Sequence, residues 1–239
     1  MLRRMNQGFT IDGRREPVRC GKIVALGRNY RAHAREMGGS GDEPPLLFLK
    51  PASALVPDGG KVVRPRFSIS LHHEVELVVA IGCAGRRIAA ADAAAHILGY
   101  AVGLDMTLRD VQSEAKRRGH PWAVAKGFDS SAPLSAVVPA AAAGDPDQLA
   151  IELRVNGELR QRGRAGDMIL PVPEVVAFVS SVFALEAGDL IFTGTPEGVG
   201  EVFPGDVLEA VLVGHTRLRV TVAGEEPVPA DPGEQVEGR

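Results

Sequence analysis

Glu74 and Glu76 stand two residues apart in His72-His73-Glu74-Val75-Glu76-Leu77-Val78-Val79-Ala80-Ile81, a run that reads as a β-strand. Side chains alternate along a strand, so both carboxylates point to one face. That face continues through Val78 and Ala80, while Val75, Leu77, Val79 and Ile81 line the other, which makes the strand apolar on both sides. Two like charges in such a place call for a shared proton, an arginine or a hard divalent cation that takes oxygen ligands. A strand end emerging into water would leave them as ordinary surface acids. Asp105 tips the balance toward the cation, because it ends the apolar stretch Ile97-Leu98-Gly99-Tyr100-Ala101-Val102-Gly103-Leu104. Three carboxylates with coordination positions left over describe Mg²⁺, Mn²⁺ or Ca²⁺ better than zinc.

Asp105 opens Asp105-Met106-Thr107-Leu108-Arg109-Asp110-Val111-Gln112; read as one helix, this puts Asp105, Arg109 and Gln112 at i, i+4 and i+7 on one face. A metal ligand, a guanidinium and a carboxamide sharing a face suit a small anion that bridges metal and arginine, such as the carboxylate of a keto acid. His33 and Glu36, three apart in Asn29-Tyr30-Arg31-Ala32-His33-Ala34-Arg35-Glu36-Met37, can form a general base whose imidazole the carboxylate orients. A solvent-facing pair fits the same spacing. The chain has five lysines against 22 arginines, so Lys126, in the apolar Trp122-Ala123-Val124-Ala125-Lys126-Gly127-Phe128, stands out as a compact charge with an adjustable pKa. Thr193-Gly194-Thr195-Pro196-Glu197-Gly198-Val199-Gly200 follows a strand-like run, and its backbone N–H groups could hold a carboxylate. It lacks the Gly-Lys-Ser/Thr ending of a P-loop and the helix that follows a dinucleotide fingerprint, and a tight structural turn is its default reading.

The elements that must position these residues are mostly strands. Strand-like runs cover 22–26, 46–49, 74–81, 100–104, 151–155, 190–193, 207–213 and 218–222, and helical patterns cover about 30–37, 90–95, 107–118 and 172–180. Asn156-Gly157 carries the signature of a tight hairpin. Strands outnumber helices and do not alternate with them, which predicts a mixed, largely antiparallel α+β domain. Residues 139–146 read as a loop, residues 1–20 as an N-terminal arm without a clear core pattern, 21–222 as one domain and 223–239 as a disordered tail.

At 239 residues with 45% hydrophobic content and a net charge of −3, the chain can build one substantial core. Scattered basic residues and 5% aromatic content argue against a nucleic-acid surface, and the apolar runs are too short to span a bilayer. The start, Met1-Leu2-Arg3-Arg4-Met5-Asn6, lacks the apolar stretch of a secretory signal, and two cysteines, Cys20 and Cys83, make no disulfide framework; both point to the cytoplasm.

Taken together, Gly27-Arg28-Asn29-Tyr30-Arg31-Ala32-His33, Phe48-Leu49-Lys50-Pro51, His72 to Leu77, Leu104 to Gln112, Pro121 to Lys126, Val155-Asn156-Gly157-Glu158-Leu159 and Thr193 to Gly200 resemble the fumarylacetoacetate hydrolase family, in unbroken order over about residues 22–222. The likeness is closest to its acylpyruvate hydrolase and oxaloacetate decarboxylase branch. It implies a mixed β-roll fold, a homodimer, and Mg²⁺ or Mn²⁺ held by Glu74, Glu76 and Asp105. It further implies a His33–Glu36 dyad, with substrate contacts from Arg109, Gln112, Lys126 and Thr195 and with Lys126 steadying an enolate. The implied reaction is carbon–carbon hydrolysis of a 2,4-diketo acid such as fumarylpyruvate or acetylpyruvate, in aromatic catabolism. Oxaloacetate decarboxylation, keto–enol or double-bond isomerisation, and a catalytically silent keto-acid binder are the alternatives. Gly38-Gly39-Ser40-Gly41-Asp42, in the family part of a lid over the site, is unusually rich in glycine.

Overall fold

The computed structural model describes residues 8–36 and 45–225. Its centre is a six-stranded mixed sheet in the order Val138–Pro139, Ile97–Leu104, Val75–Ile81, Leu190–Phe192, Ile23–Gly27, Leu46–Lys50. All neighbours are antiparallel except Leu190–Phe192 and Ile23–Gly27, which run parallel. A five-stranded sheet, Glu158–Arg164, Ala150–Val155, Val207–Leu212, Thr216–Gly224, Lys61–Arg64, packs against it. The architecture is the expected α+β one, dominated by strands.

The double-sided apolar pattern of the Val75–Ile81 strand has a direct structural cause, since every one of its residues is buried. Val75, Leu77, Val79 and Ile81 join the core between the two sheets, together with Ile151, Leu153, Leu208 and Val220. Val78 and Ala80 join a second core on the opposite face with Ile23, Ala25, Leu190 and Phe192. A strand buried on both faces is held in register, because slipping by one residue would exchange the two sets of side chains. Truncating one of its fully buried branched side chains to alanine costs about 2–5 kcal/mol.

Residues 8–20 do contribute to the core, contrary to the sequence pattern. Gly8–Phe9 pairs with Val18–Arg19, and Phe9, Ile11 and Cys20 are buried in the second core. Two apolar residues in a two-stranded ribbon are too few to show a period. The stretch 139–146, expected as a loop, contains a single helical turn, Ala140–Ala143, which the propensity of an alanine run explains. The segment 90–95 forms a 3₁₀ helix over Ala90–His96. The hairpin at Asn156-Gly157 is formed, with φ of +52° and +84° at its two central residues. The last strand runs on to Gly224, two residues into the stretch expected as a tail; residues 226–239 and the glycine-rich segment Gly38 to Asp42 lie outside the described residues.

Candidate active site

Glu76 lies in the Val75–Ile81 strand with Glu74 just before it, and Asp105 follows the neighbouring Ile97–Leu104 strand, whose end pairs Leu104 with Val75. The Asp105 N–H donates to the Glu74 carbonyl at 2.8 Å, so the two backbones are tied where the strands open. Glu74, Glu76 and Asp105 are buried, and one carboxylate oxygen from each lies within 4.8 Å of the others. Asp105 is not helical. Thr107–Leu108 pairs with Leu71–His73, the Arg109 N–H bonds to the Ser70 carbonyl, and the helix begins only at Arg109. The single helical face expected to carry Asp105, Arg109 and Gln112 is therefore split into a strand end and a helix start. Arg109 and Gln112 still face the site, with the guanidinium donating to Gln112 Oε1 at 2.6 Å and to Glu74 Oε1 at 2.5 Å.

Three cations surround the trio. Lys126 Nζ donates to Glu74 Oε2 at 2.7 Å, to Asp105 Oδ2 at 2.6 Å and to Thr107 Oγ1 at 2.6 Å. Lys50 Nζ lies 2.7 Å from Asp105 Oδ1 and also donates to the carbonyls of Ser131, at 2.9 Å, and Lys126. The sequence reading gave Lys50 no role, although a lysine closing the apolar run Leu46-Leu47-Phe48-Leu49 in a lysine-poor chain was a signal of the same kind as Lys126. Burial opposes the charge of Lys126, but Asp105 and Glu74 outweigh it and hold its pKa above the ordinary lysine value. At Lys50 burial wins and the pKa falls, with Asp105 only partly restoring it.

The trio divides electrostatically. Burial pushes the Glu74 carboxyl up, and the Lys126 and Arg109 charges override it, leaving the pKa well below the carboxylate range. At Glu76 burial, Asp105 and Glu74 all push upward, and the pKa is raised well above the ordinary value. Among the described residues Glu76 has no cation at ion-pair distance; its partner is the Gly194 N–H, 2.8 Å from Oε2. Asp105 Oδ1 is buried and, despite the nearby Lys50 charge, has no aligned hydrogen bond among the described residues. An all-oxygen set with one carboxylate short of positive charge and one buried oxygen short of a donor fits a hard divalent cation.

His33 and Glu36 occupy the short helix Arg31–Glu36, with His33 Nδ1 at 3.1 Å from Glu36 Oε2. Glu36 also accepts the Gly198 N–H at 3.2 Å. The glycine-dense loop thus does hold carboxylates through its backbone, but they are the protein's own: Gly194 takes Glu76 and Gly198 takes Glu36. The Thr195 hydroxyl donates to the Val75 carbonyl at 2.8 Å and accepts from Gln161 Nε2 at 2.9 Å, which leaves one lone pair for a ligand. Gln161, unnoticed in the sequence, is the buried residue of an otherwise largely exposed strand. Its Oε1 meets both His73 Nδ1, at 2.9 Å, and the Val75 N–H, at 3.0 Å, so one carboxamide fixes the chain on both sides of Glu74.

Of the nine site residues expected from the sequence, all but Glu36 line one cavity of about 40 Å³, and Glu36 stands behind His33. Phe48 and Trp122, with ring centroids 6.1 Å apart, form its apolar wall. The arrangement can hold a cation, bind an anionic oxygen ligand beside it, and present an imidazole to that ligand.

None of the described helices is long and apolar enough to cross a membrane. The structure is similar to that of a fumarylpyruvate hydrolase from Pseudomonas aeruginosa in complex with Mn²⁺ and pyruvate, with a TM-score of 0.89, 42% identity, and coverage of 94% of this chain and 99% of that one. It also resembles a 2-hydroxyhepta-2,4-diene-1,7-dioate isomerase from Mycobacterium marinum, with a TM-score of 0.78, 33% identity, and coverage of 88% and 77%. In sequence it is 47% identical over 204 residues to the mitochondrial oxaloacetate tautomerase FAHD1 of Mus musculus, covering 85% of this chain and 92% of that protein. Residues 22–223 match the family model described as fumarylacetoacetate (FAA) hydrolase C-terminal, and the chain belongs to that family.

Proposed function

We propose that the chain is a metal-dependent hydrolase that cleaves the C3–C4 bond of an acylpyruvate, releasing pyruvate and a carboxylic acid. The observation that carries this reading is that the His33–Glu36 pair and the Glu74, Glu76 and Asp105 trio serve one cavity. A binder of keto acids needs the cation and the anion contacts but has no use for an oriented base. In this reading Glu74, Glu76 and Asp105 hold Mg²⁺ or Mn²⁺, and a relative with Mn²⁺ and pyruvate bound supports that choice. When bound, the cation supplies a Lewis acid that lowers the energy of negative charge building on a keto oxygen.

The residues of the chain do the rest. Glu36 Oε2 lies 3.1 Å from His33 Nδ1, and in this reading the proton sits on Nδ1 toward Glu36 while Nε2 serves as the base. Nε2 takes a proton from water as the water oxygen bonds to the C4 carbonyl carbon. The C3–C4 bond then breaks, its electron pair passing to C3 and, as the enolate, to the C2 oxygen. The proton held on Nε2 returns to C3 and yields pyruvate. Lys126 and Arg109, fixed by Glu74 and Asp105, provide preorganised positive charge for the carboxylate and the enolate oxygen.

A second reading is keto–enol exchange of oxaloacetate, favoured by the 47% identical mouse relative named as an oxaloacetate tautomerase. It uses the same base and the same charges but no attacking water. Product analysis with fumarylpyruvate, acetylpyruvate and oxaloacetate in the presence of Mg²⁺ separates the two. Pyruvate plus fumarate or acetate is the expected result, and turnover of oxaloacetate alone overturns hydrolysis. To the proposed reading belong a catalytic unit over residues 21–222, a homodimer in the cytoplasm and a place in the breakdown of aromatic acids; light scattering on the purified protein tests the dimer.

A further inference from the structure

Resting on that reading, one feature of the cavity wall names the substrate more closely. The helix Arg109–Arg118 carries Arg109, Gln112 and Lys116 at i, i+3 and i+7, and all three line the cavity. Arg109 marks the metal end through its bond to Glu74. Lys116 lies seven residues further along, about 10 Å by helical rise. Its ammonium sits 5.1 Å from the centroid of the Trp122 ring, and among the described residues no carboxylate pairs with it. Lys116, Leu46, Phe48 and Trp122 line both the small polar cavity and a wider groove of about 600 Å³ that continues from it. A chain leaving the metal end between Phe48 and Trp122 therefore passes Lys116.

Charge balance agrees with this path. In number, Lys50, Lys126 and Arg109 match the three negative charges of the trio before any metal is counted, although among the described residues they pair with Asp105 and Glu74 and not with Glu76. Lys116 adds a positive charge that nothing described neutralises, and burial together with Arg109, Arg28 and Lys126 pushes its own pKa down. A divalent cation enlarges the surplus by two charges. A substrate with one carboxylate at the metal end leaves most of that surplus in place; one with a second carboxylate at the far end removes more of it.

We propose that Lys116 is a specificity-determining residue whose ammonium receives the terminal carboxylate of the acyl chain, so that the preferred substrates are acylpyruvates bearing a distal carboxylate. Acetylpyruvate has no such group, and the second carboxylate of oxaloacetate lies too close to the first to reach it.

The test is calorimetric binding, with Mg²⁺ present, of 2-oxoheptanedioate and 2-oxoheptanoate, which share the metal end and chain length and differ in the distal carboxylate. The parent protein is expected to prefer the diacid by about 10- to 100-fold, the worth of one charge-assisted contact. Lys116→Met should bring the ratio close to one, and Lys116→Arg should retain much of it. Equal binding of the two acids by the parent, no binding of either, or an unchanged ratio in Lys116→Met overturns the proposal. Failure of the hydrolytic reading looks different, since the diacid preference would then persist in a protein that cleaves no acylpyruvate.

Discussion

The Gly194 N–H points at Glu76 Oε2 across 2.8 Å, and Glu76 is the acid of the trio that, among the described residues, has no cation beside it. Gly194 reaches it with φ at +101°, and a Cβ added there would come within 2.7 Å of the Asn29 Cβ. Asn29 in turn spans three segments, donating to the Thr193 carbonyl at 2.8 Å and accepting the Leu170 N–H at 2.8 Å. The loop, the strand carrying Glu76 and the start of the His33 helix are thereby one hydrogen-bonded unit. Gly194→Ala should cost about 1–3 kcal/mol in urea unfolding, the range for a strained non-glycine backbone, and should weaken the rise in melting temperature that Mg²⁺ produces. A variant as stable as the parent with the same Mg²⁺ response means that Glu76 does not need this loop.

Lys50 is wholly buried, and its removal leaves Asp105, among the described residues, with Lys126 as its remaining counter-charge. Breaking a buried pair from one side strands a charge, so Lys50→Met should destabilise by about 3 kcal/mol in denaturant titration. A change below about 0.5 kcal/mol, the scale of a neutral surface substitution, means that Asp105 is satisfied without it.

His33→Ala should lower turnover by about 10²- to 10⁴-fold, the usual worth of a general base, while leaving the Mg²⁺-dependent shift in melting temperature in place. Glu36→Gln keeps the helix and the contact to Gly198 but weakens the orientation of the ring, and it should cost less than His33→Ala. Undiminished rates in His33→Ala remove the base from the account.

Alkaline pH should weaken the fold. Burial pushes the Cys20 thiol up to about 12, with Asp189 adding to the effect, and it pushes the Tyr100 phenol up to about 12, with Asp145 and Asp147 adding to it. Tyr30 is raised as well, by burial first and then by Glu76, Asp167 and Glu197. In the unfolded chain a thiol releases its proton near pH 8.5 and a phenol near pH 10, so above these values the unfolded state binds fewer protons than the folded one and is favoured. Stability from these groups is full below about pH 8.5 and falls progressively toward pH 12. Urea midpoints at pH 8 and pH 10.5 should differ in that direction, and a thiol reagent at pH 8 should reach exposed Cys83 well before buried Cys20. Equal midpoints contradict the assignment.

Glu74 and Glu76 were legible as a pair because a strand has a fixed period that sets them on one face with Val78 and Ala80, and Asp105 because a charge closes an apolar run. The role of the segment after Asp105 was harder to read, because helical spacing and a two-residue strand followed by a helix give the same polar positions, and only the pairing of Thr107 with His72 decides between them. Lys50 carries the same local mark as Lys126, a lysine against an apolar run, but its partner Asp105 lies far along the chain and is brought to it only by the fold. Gln161, whose partner is His73, has no local mark: it stands in Glu158-Leu159-Arg160-Gln161-Arg162-Gly163-Arg164, where polar residues on both faces hide the one that turns inward. For the glycine-dense loop a tight turn is the default and a carboxylate-holding role only an option; that it holds Glu76 depends on a fold that brings residue 194 beside residue 76.

Convergence of Glu74, Glu76 and Asp105 on one hard cation is tested by Mn²⁺ titration in a calorimeter, with the parent protein and Glu76→Ala side by side. Saturation at one ion per chain is expected in the parent, and loss of that uptake in the variant, with the variant still folded by circular dichroism. Equal uptake by both proteins, or none by the parent, contradicts it.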